Sequence, residues 1–399
     1  HFKIVLNTLL RGNIEKMKIL IIGTSYPYRG GLATFNERLA QQYIKEGHQV
    51  EIITFTLQYP SFLFPGKTQF TNDPPPQEIK IKRKINSINP INWITIGKKL
   101  RKKEADLAIF CYWMSFMAPC FGTIARQIRK NRKTKCIALV HNMIPHEPSL
   151  LDKILSPCFV KQMHAFIALS ESVIDDINQF DKNNKPKTFS PHPIYDHYGE
   201  KLDREFALSQ LNLDKDCRYL LFFGFIRPYK GLDLLLDAFA DERLRQYNTK
   251  LIVAGEFYEG ELFYRQKIKE LELENLVILH TDFIPNDKVN VYFSVCDIIT
   301  QPYKTATQSG VTQIAFHFNK SMLVTKVGGL AEIVPHGVIG YAVAPESSEI
   351  AASLVDFYEN NRQEIFEKNI IKEKNKYAWN ILTAKIQSLY ELIKKNYGA

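Results

Sequence analysis

A chain of 399 residues is long enough for two or more domains. Its 45% hydrophobic and 24% charged content is ordinary globular composition, excluding a disordered, collagen-like or small disulfide-stapled chain. The 52 Lys and Arg against 42 Asp and Glu leave +10, all of it in the first half: residues 1–200 hold 28 basic and 16 acidic side chains, residues 201–399 hold 24 and 26. A basic half beside a near-neutral one points to an anionic partner (nucleic acid, a membrane surface or a phosphorylated substrate), with solvated helix faces as the plain alternative.

Residues 1–16 read as an N-terminal extension. The apolar piece Ile4 to Leu10 is short and lacks a cleavage site, so it is no signal peptide, and Met17 before a strand looks like the natural start. The run from Lys18 to Gly23 predicts a buried parallel strand, a loop follows with Gly30-Gly31, and 33–46 has helical periodicity ended by Gly47. A second strand falls at 50–55, and the Pro- and aromatic-rich 56–76 reads as a long functional loop. Further strands are expected near 107–111, 136–140, 165–169 and 187–190, giving a doubly wound α/β domain at 17–198.

The stretch from Leu107 to Ala125 has no charge in 19 residues, the length of a membrane span. Pro119 and Gly122 interrupt it and its start reads as a strand, so the expectation is an apolar surface helix resting on a membrane. After the polar stretch 196–204 the alternation resumes, with strands near 219–223, 250–254, 276–279, 297–300, 321–325 and 341–343. That predicts a second Rossmann-like domain at 204–376. The last segment, 377–399, is a helix containing Trp379 and is expected to cross back onto the first domain. Cys111, Cys120, Cys136, Cys158, Cys217 and Cys296 show no CxxC spacing and no clustering with His, and suggest reduced core thiols of a cytosolic protein.

Three loops carry chemistry. Gly30-Gly31 opens a helix, where backbone N–H groups favour anions, while the absence of GxGxxG argues against a dinucleotide dehydrogenase. The segment from Gly224 to Gly231 holds Arg227 and Lys230, cations suited to a diphosphate, or a solvated pair. Thr307 to Thr312 precedes an apolar helix and offers a cap and a second phosphate position, or plain capping. A further glycine turn into a helix lies at 327–334.

With the GG loop, GFIRPYKGLD at 224–233, Gly255-Glu256-Phe257, Asp282-Phe283-Ile284-Pro285 and VGGLAEIV at 327–334 in this order, the chain resembles family 4 glycosyltransferases of the bacterial surface-polysaccharide type, from Met17 onward. The resemblance implies the GT-B fold: two facing Rossmann-like doubly wound domains with a central cleft. It implies transfer of a sugar from a nucleotide-diphosphate donor with anomeric retention, the donor lying mainly on the second domain and the acceptor on the first. Lys230 falls at the diphosphate-binding lysine. Ser309, Gly310 and Val311 would give N–H groups to phosphate, Phe283 and Ile284 backbone contacts to the base. Gly30, Gly31 and Glu256 join the donor site, and His141 matches the histidine beside the donor sugar. No cofactor or metal is expected, since cations and N–H groups can meet the leaving diphosphate.

Two positions depart from the family pattern. Phe225 stands where an arginine is usual, with Arg227 as substitute. Ala306 and Ile314 stand where two glutamates are usual, leaving Gln308, Thr312 or Gln313 to take over.

On the acceptor side, Trp113 and the basic run Arg126, Arg129, Lys130, Arg132, Lys133 suit an anionic bilayer, at about 1 kcal/mol per basic residue, or form a basic exposed helix. A saccharide or lipid-linked acceptor and a cytoplasmic protein peripheral at the inner membrane face follow as expectations. The competing readings are a catalytically degenerate nucleotide-sugar-binding partner and a sugar-nucleotide epimerase. Nucleic acid is not expected, for want of a stacking motif or reader fold.

Overall fold

The computed structural model describes residues 15–60, 68–71, 74–144, 150–306 and 309–396. They divide into two compact units, His1–Pro191 with Ala378–Ala399, and His192–Tyr377.

The first unit is built on seven parallel strands: β1 (Lys18–Ile22), β2 (Gln49–Leu57), β3 (Lys80–Asn86), β4 (Leu107–Tyr112), β5 (Lys135–Val140), β6 (Ala165–Ala168) and β7 (Lys187–Phe189). Their order is β3-β2-β1-β4-β5-β6-β7. Central strands such as β4 (LAIFCY) are apolar on both faces and wholly buried, as a sheet covered by helices on both sides requires. The edge strand β3 (KIKRKIN) is instead studded with cations, which discourages pairing with another chain.

The second unit repeats the plan with six strands: β8 (Arg218–Phe223), β9 (Thr249–Ala254), β10 (Val277–His280), β11 (Ile298–Gln301), β12 (Ser321–Thr325) and β13 (Gly340–Val343). Their order is β10-β9-β8-β11-β12-β13, again all parallel. In each sheet the winding reverses beside the first strand, between β1 and β4 or between β8 and β11. Ligands of such sheets bind outside the strand C-termini at that switch.

The polar stretch 196–204 lies inside the second unit. His317 Nε2 is 2.7 Å from Gly199 O, and Leu202 N donates to Ser294 Oγ at 2.9 Å. The helix Trp379–Asn396 belongs to the first unit: Trp379 packs on Phe35, Thr383 Oγ1 donates to Glu46 Oε1 at 2.7 Å, and Lys385 Nζ to Phe189 O at 2.7 Å.

The charge-free segment is core, not surface. Helix Ala118–Ile128 is buried along most of its length, and its small residues set close approaches on both sides. A Cβ on Gly97 would come 2.6 Å from Gln127 Cβ, and one on Gly122 would come 2.8 Å from Cys158 O. The expected apolar helix resting on a membrane is therefore corrected: its apolar face is spent on helices Pro90–Arg101 and Leu150–Val160. Among the described residues, no helix is long and apolar enough to cross a membrane.

Candidate functional site

In the second unit, β8 ends at Gly224, whose φ of 97° is a conformation that favours glycine. The chain then forms a short 3₁₀ turn, Pro228–Lys230, closed by Gly231, where a Cβ would run into the Pro302 carbonyl. This turn folds Lys230 back over the strand end: its Nζ lies 3.2 Å from where a Gly224 Cβ would be and 5.6 Å from the Tyr303 ring centroid. Burial, and then the Arg227 guanidinium, pull the Lys230 ammonium down to about 8. The neighbouring Lys304 is paired with Asp233 at 2.6 Å, whereas no carboxylate among the described residues pairs with Lys230. A half-buried cation without a paired carboxylate is placed to meet an anion.

Beside it begins helix Gly310–His317. Ser309 caps it, its Oγ accepting from Val311 N at 3.2 Å and lying 3.2 Å from Tyr303 OH. The Val311 side chain reaches to 3.8 Å from the Gly224 Cβ position, so Lys230, Tyr303, Ser309 and Val311 share one spot at the β8/β11 switch. Gly310 is held against Tyr195, whose ring carbon Cε2 would sit 2.7 Å from an added Cβ.

The next part of the strand edge is aromatic. β8 and β9 continue past their glycines through the bridge of Ile226 with Phe257, with Ile226 N donating to Glu256 O at 2.9 Å. Phe225 and Arg227 therefore fall on one side. Both meet Tyr258, Phe225 with ring centroids 4.7 Å apart and Arg227 with its guanidinium 4.2 Å from the ring centroid. Phe283 follows at 6.0 Å from Phe225, with Ile284 half-buried next to it. Glu256 is buried at the end of β9.

Several expected donor contacts stand differently. Thr312 is fully buried and its hydroxyl donates to Gln301 Oε1 at 3.1 Å, so it ties the helix to β11 and has no open face. Gln313 is also fully buried, both amide atoms lacking a hydrogen-bond partner. Ile314 sits in the apolar interior of the same helix. Gln308 lies outside the described residues. Tyr258 and Tyr303 were not singled out from sequence. The second follows Pro302 two residues beyond β11, where strand ends carry ligands, and that position was the available signal.

In the first unit, Gly30 has φ 103° and caps helix Gly31–Lys45 without a side-chain cap or an acidic residue in its first turn. Nothing lies within 4 Å of a Cβ built on Gly30. His141 follows β5 directly, its backbone N donating to Tyr112 O at 2.8 Å and its ring meeting the edge of Phe35 at 4.7 Å. Phe35 is on the helix that Gly30 opens, so His141 and the glycine loop occupy one end of this sheet.

The basic residues occupy the other end. Arg126, Arg129, Lys130, Arg132 and Lys133 lie on the connection that enters β5 at Lys135, whereas His141 leaves it. Six residues at about 3.3 Å each separate the two ends by roughly 20 Å. The basic run therefore lies at the end of this sheet away from His141. The expectation for Trp113 is corrected: it is 8% exposed, packed with Phe55 and Phe121, and its Nε1 donates to Tyr59 OH at 2.7 Å.

Two doubly wound parallel sheets of this kind make a GT-B glycosyltransferase fold, and solved structures agree. Sucrose-phosphate synthase from Thermosynechococcus elongatus matches with a TM-score of 0.73 at 14% identity, covering 95% of this chain and 100% of that one. HepE from Anabaena, solved with UDP, matches with 0.69 at 18% identity, covering 94% and 99%. Family models described as "Glycosyltransferase Family 4" and "Glycosyl transferases group 1" match residues 29–193 and 203–377. The chain belongs to the family 4 glycosyltransferases. Lipopolysaccharide 1,2-N-acetylglucosaminetransferase of Salmonella typhimurium is 28% identical over 268 residues, which is 64% of this chain. The match spans just under two thirds of that relative, 66%.

Proposed function

We propose that this chain is a retaining hexosyltransferase that moves a sugar from a nucleotide-diphosphate donor to a saccharide or lipid-linked acceptor in surface-polysaccharide synthesis. The observation that carries the reading is the half-buried Lys230, without a paired carboxylate, at the β8/β11 switch beside the N-terminus of helix Gly310–His317. Breaking the anomeric bond leaves negative charge on the β-phosphate. A preorganised ammonium, the Arg227 guanidinium and the N–H group of Gly310 stabilise that charge where it develops, without a metal ion. The aromatic wall of Phe225, Tyr258 and Phe283 gives the base a flat neighbour. The first unit takes the acceptor at the strand end holding Gly30 and His141, with His141 assigned to the donor sugar. The lipopolysaccharide transferase named above and the UDP-bound HepE support this class of donor and product.

Exposed Arg126, Lys130, Arg132 and Lys133 support attachment to the anionic inner membrane face. Co-sedimentation with anionic liposomes that salt reverses is expected, and none at low salt would count against it.

A thermal-shift panel of UDP-, GDP-, ADP- and dTDP-sugars tests the donor reading, because a ligand held only by the folded state raises stability. One nucleotide is expected to shift the transition, with the shift reduced in Lys230→Ala. The apolar Ile314 in place of a family glutamate favours one second reading, a non-catalytic nucleotide-sugar-binding partner. Donor binding without turnover on any acceptor would select it.

A further inference from the structure

The first sheet has a second feature at the end away from Gly30 and His141. A hollow of about 700 Å³ opens there, where β1, β4, β5 and β6 begin. Lys16, Arg129, Arg132, Lys133, Lys135 and Lys394 line it, against only Glu15 and Asp106. Both carboxylates are already engaged. Asp106 accepts from Lys18 N at 2.8 Å and lies 3.3 Å from Lys133 Nζ, and Glu15 lies 3.8 Å from Lys394 Nζ. Among the described residues no carboxylate pairs with Lys16, Arg129 or Arg132.

Lys16, Arg132, Lys133 and Lys394 are exposed around the rim, and Arg129 is held beneath them. Arg129 Nη1 donates to the carbonyls of Lys161 and Gln162 at 3.3 and 3.1 Å, fixing its fork. Asn131 Oδ1 accepts from the backbone of Lys133 and Thr134 at 3.1 and 2.9 Å, and Arg132 takes φ 60°, so the turn presenting these side chains is locked. The side chains register the resulting potential. Burial and then Arg129 lower the Lys135 ammonium, and burial with Arg129 and Lys135 holds His164 down at about 3. Guanidinium and ammonium groups gathered around one space suit the oxygens of phosphate.

We propose that this hollow binds a phosphate or diphosphate group, at a site separate from the donor position on the second unit. Two sources share that chemistry, a free phosphorylated small molecule and a phospholipid headgroup. The second would deepen the bilayer attachment proposed above; neither depends on the transfer reaction.

The test uses the full chain carrying Lys230→Met, so that the donor position does not contribute, and titrates inorganic pyrophosphate by calorimetry. Saturable binding is expected, weakened at least tenfold when Arg132→Asn and Lys394→Gln are added, with the unfolding midpoint of both chains compared as a control for folding. Vesicles of phosphatidylcholine with and without phosphatidylglycerol form the second arm. Capture by the anionic vesicles, competed by pyrophosphate, assigns the site to headgroups. Pyrophosphate binding that those vesicles do not compete assigns it to a free anion. Absence of saturable pyrophosphate binding, or equal affinity in the chain with the two added substitutions, overturns the proposal.

Discussion

The loops after β1 and β8 occupy equivalent places in two sheets whose first four strands follow the same order, yet they deliver different chemistry. After β1 the chain passes through Gly30, with open space around it, straight into a fifteen-residue helix. After β8 it inserts a 3₁₀ turn, packs Gly231 against the Pro302 carbonyl, and bends Lys230 into a half-buried position above the strand end. A doubly wound sheet supplies the place where a ligand binds. The charge that decides which ligand comes from a few residues of loop.

Substitutions can break that comparison, and the largest effect is steric. In Gly231→Ala a Cβ at φ 69° would run into the Pro302 carbonyl, with an expected loss of about 3 kcal/mol or more in denaturant unfolding. Gly30→Ala meets no atom and should cost only backbone strain, about 1–2 kcal/mol. If the two variants lose equal stability, the contrast between the loops is not one of packing.

Lys230→Met comes next. Loss of a charge-assisted contact worth about 2–3 kcal/mol predicts donor affinity falling roughly 30- to 150-fold by calorimetry. The ligand-free protein should be no less stable, because a half-buried charge without a paired carboxylate has gone. The pH dependence has a definite sign. The folded-state value of about 8 lies below the ordinary 10.5, so between these the unfolded chain holds the extra proton and stability from this group rises with pH. The wild-type minus Lys230→Met difference in unfolding free energy should therefore rise from pH 8 to pH 10.5. Donor binding should weaken above about pH 8 as the ammonium is lost. A pH-independent difference would remove the buried-charge argument.

Ser309→Ala removes the cap of helix Gly310–His317 and should cost about 1 kcal/mol of stability, with a donor affinity loss well short of that in Lys230→Met. The smallest change is expected for Arg227→Leu, whose stacking on Tyr258 is worth about 0.5–1 kcal/mol. A loss as large as that of Lys230→Met would make Arg227 the principal diphosphate cation.

The alternation of apolar runs and glycine turns was enough to read the second sheet and six strands of the first, because a strand buried on both faces has few other ways to look; the edge strand β3, studded with cations, has no such run and was missed. Lys230 was marked by its match to the family's lysine, while its spacing alone left a solvated pair open. Trp113 and the helix from Ala118 were not legible, since a charge-free run reads alike whether it faces lipid or neighbouring helices, and only the close approaches at Gly97 and Gly122 decide. Thr312 was misplaced because its hydroxyl answers to Gln301, on another strand, and no local spacing announces such a partner. The basic run was legible only in part: sequence shows that cations cluster, but which end of a strand they reach depends on the helix that carries the chain back.

The helix Trp379–Asn396 completes a unit whose other parts end at Pro191, which makes the whole second unit an insertion within the first. During synthesis the inserted unit is available in full while the first still lacks its last helix. Phe35 and Glu46 then wait more than three hundred residues for Trp379 and Thr383 to emerge. Domains tend to fold as units as they leave the ribosome. Here the half made last would finish the half begun first.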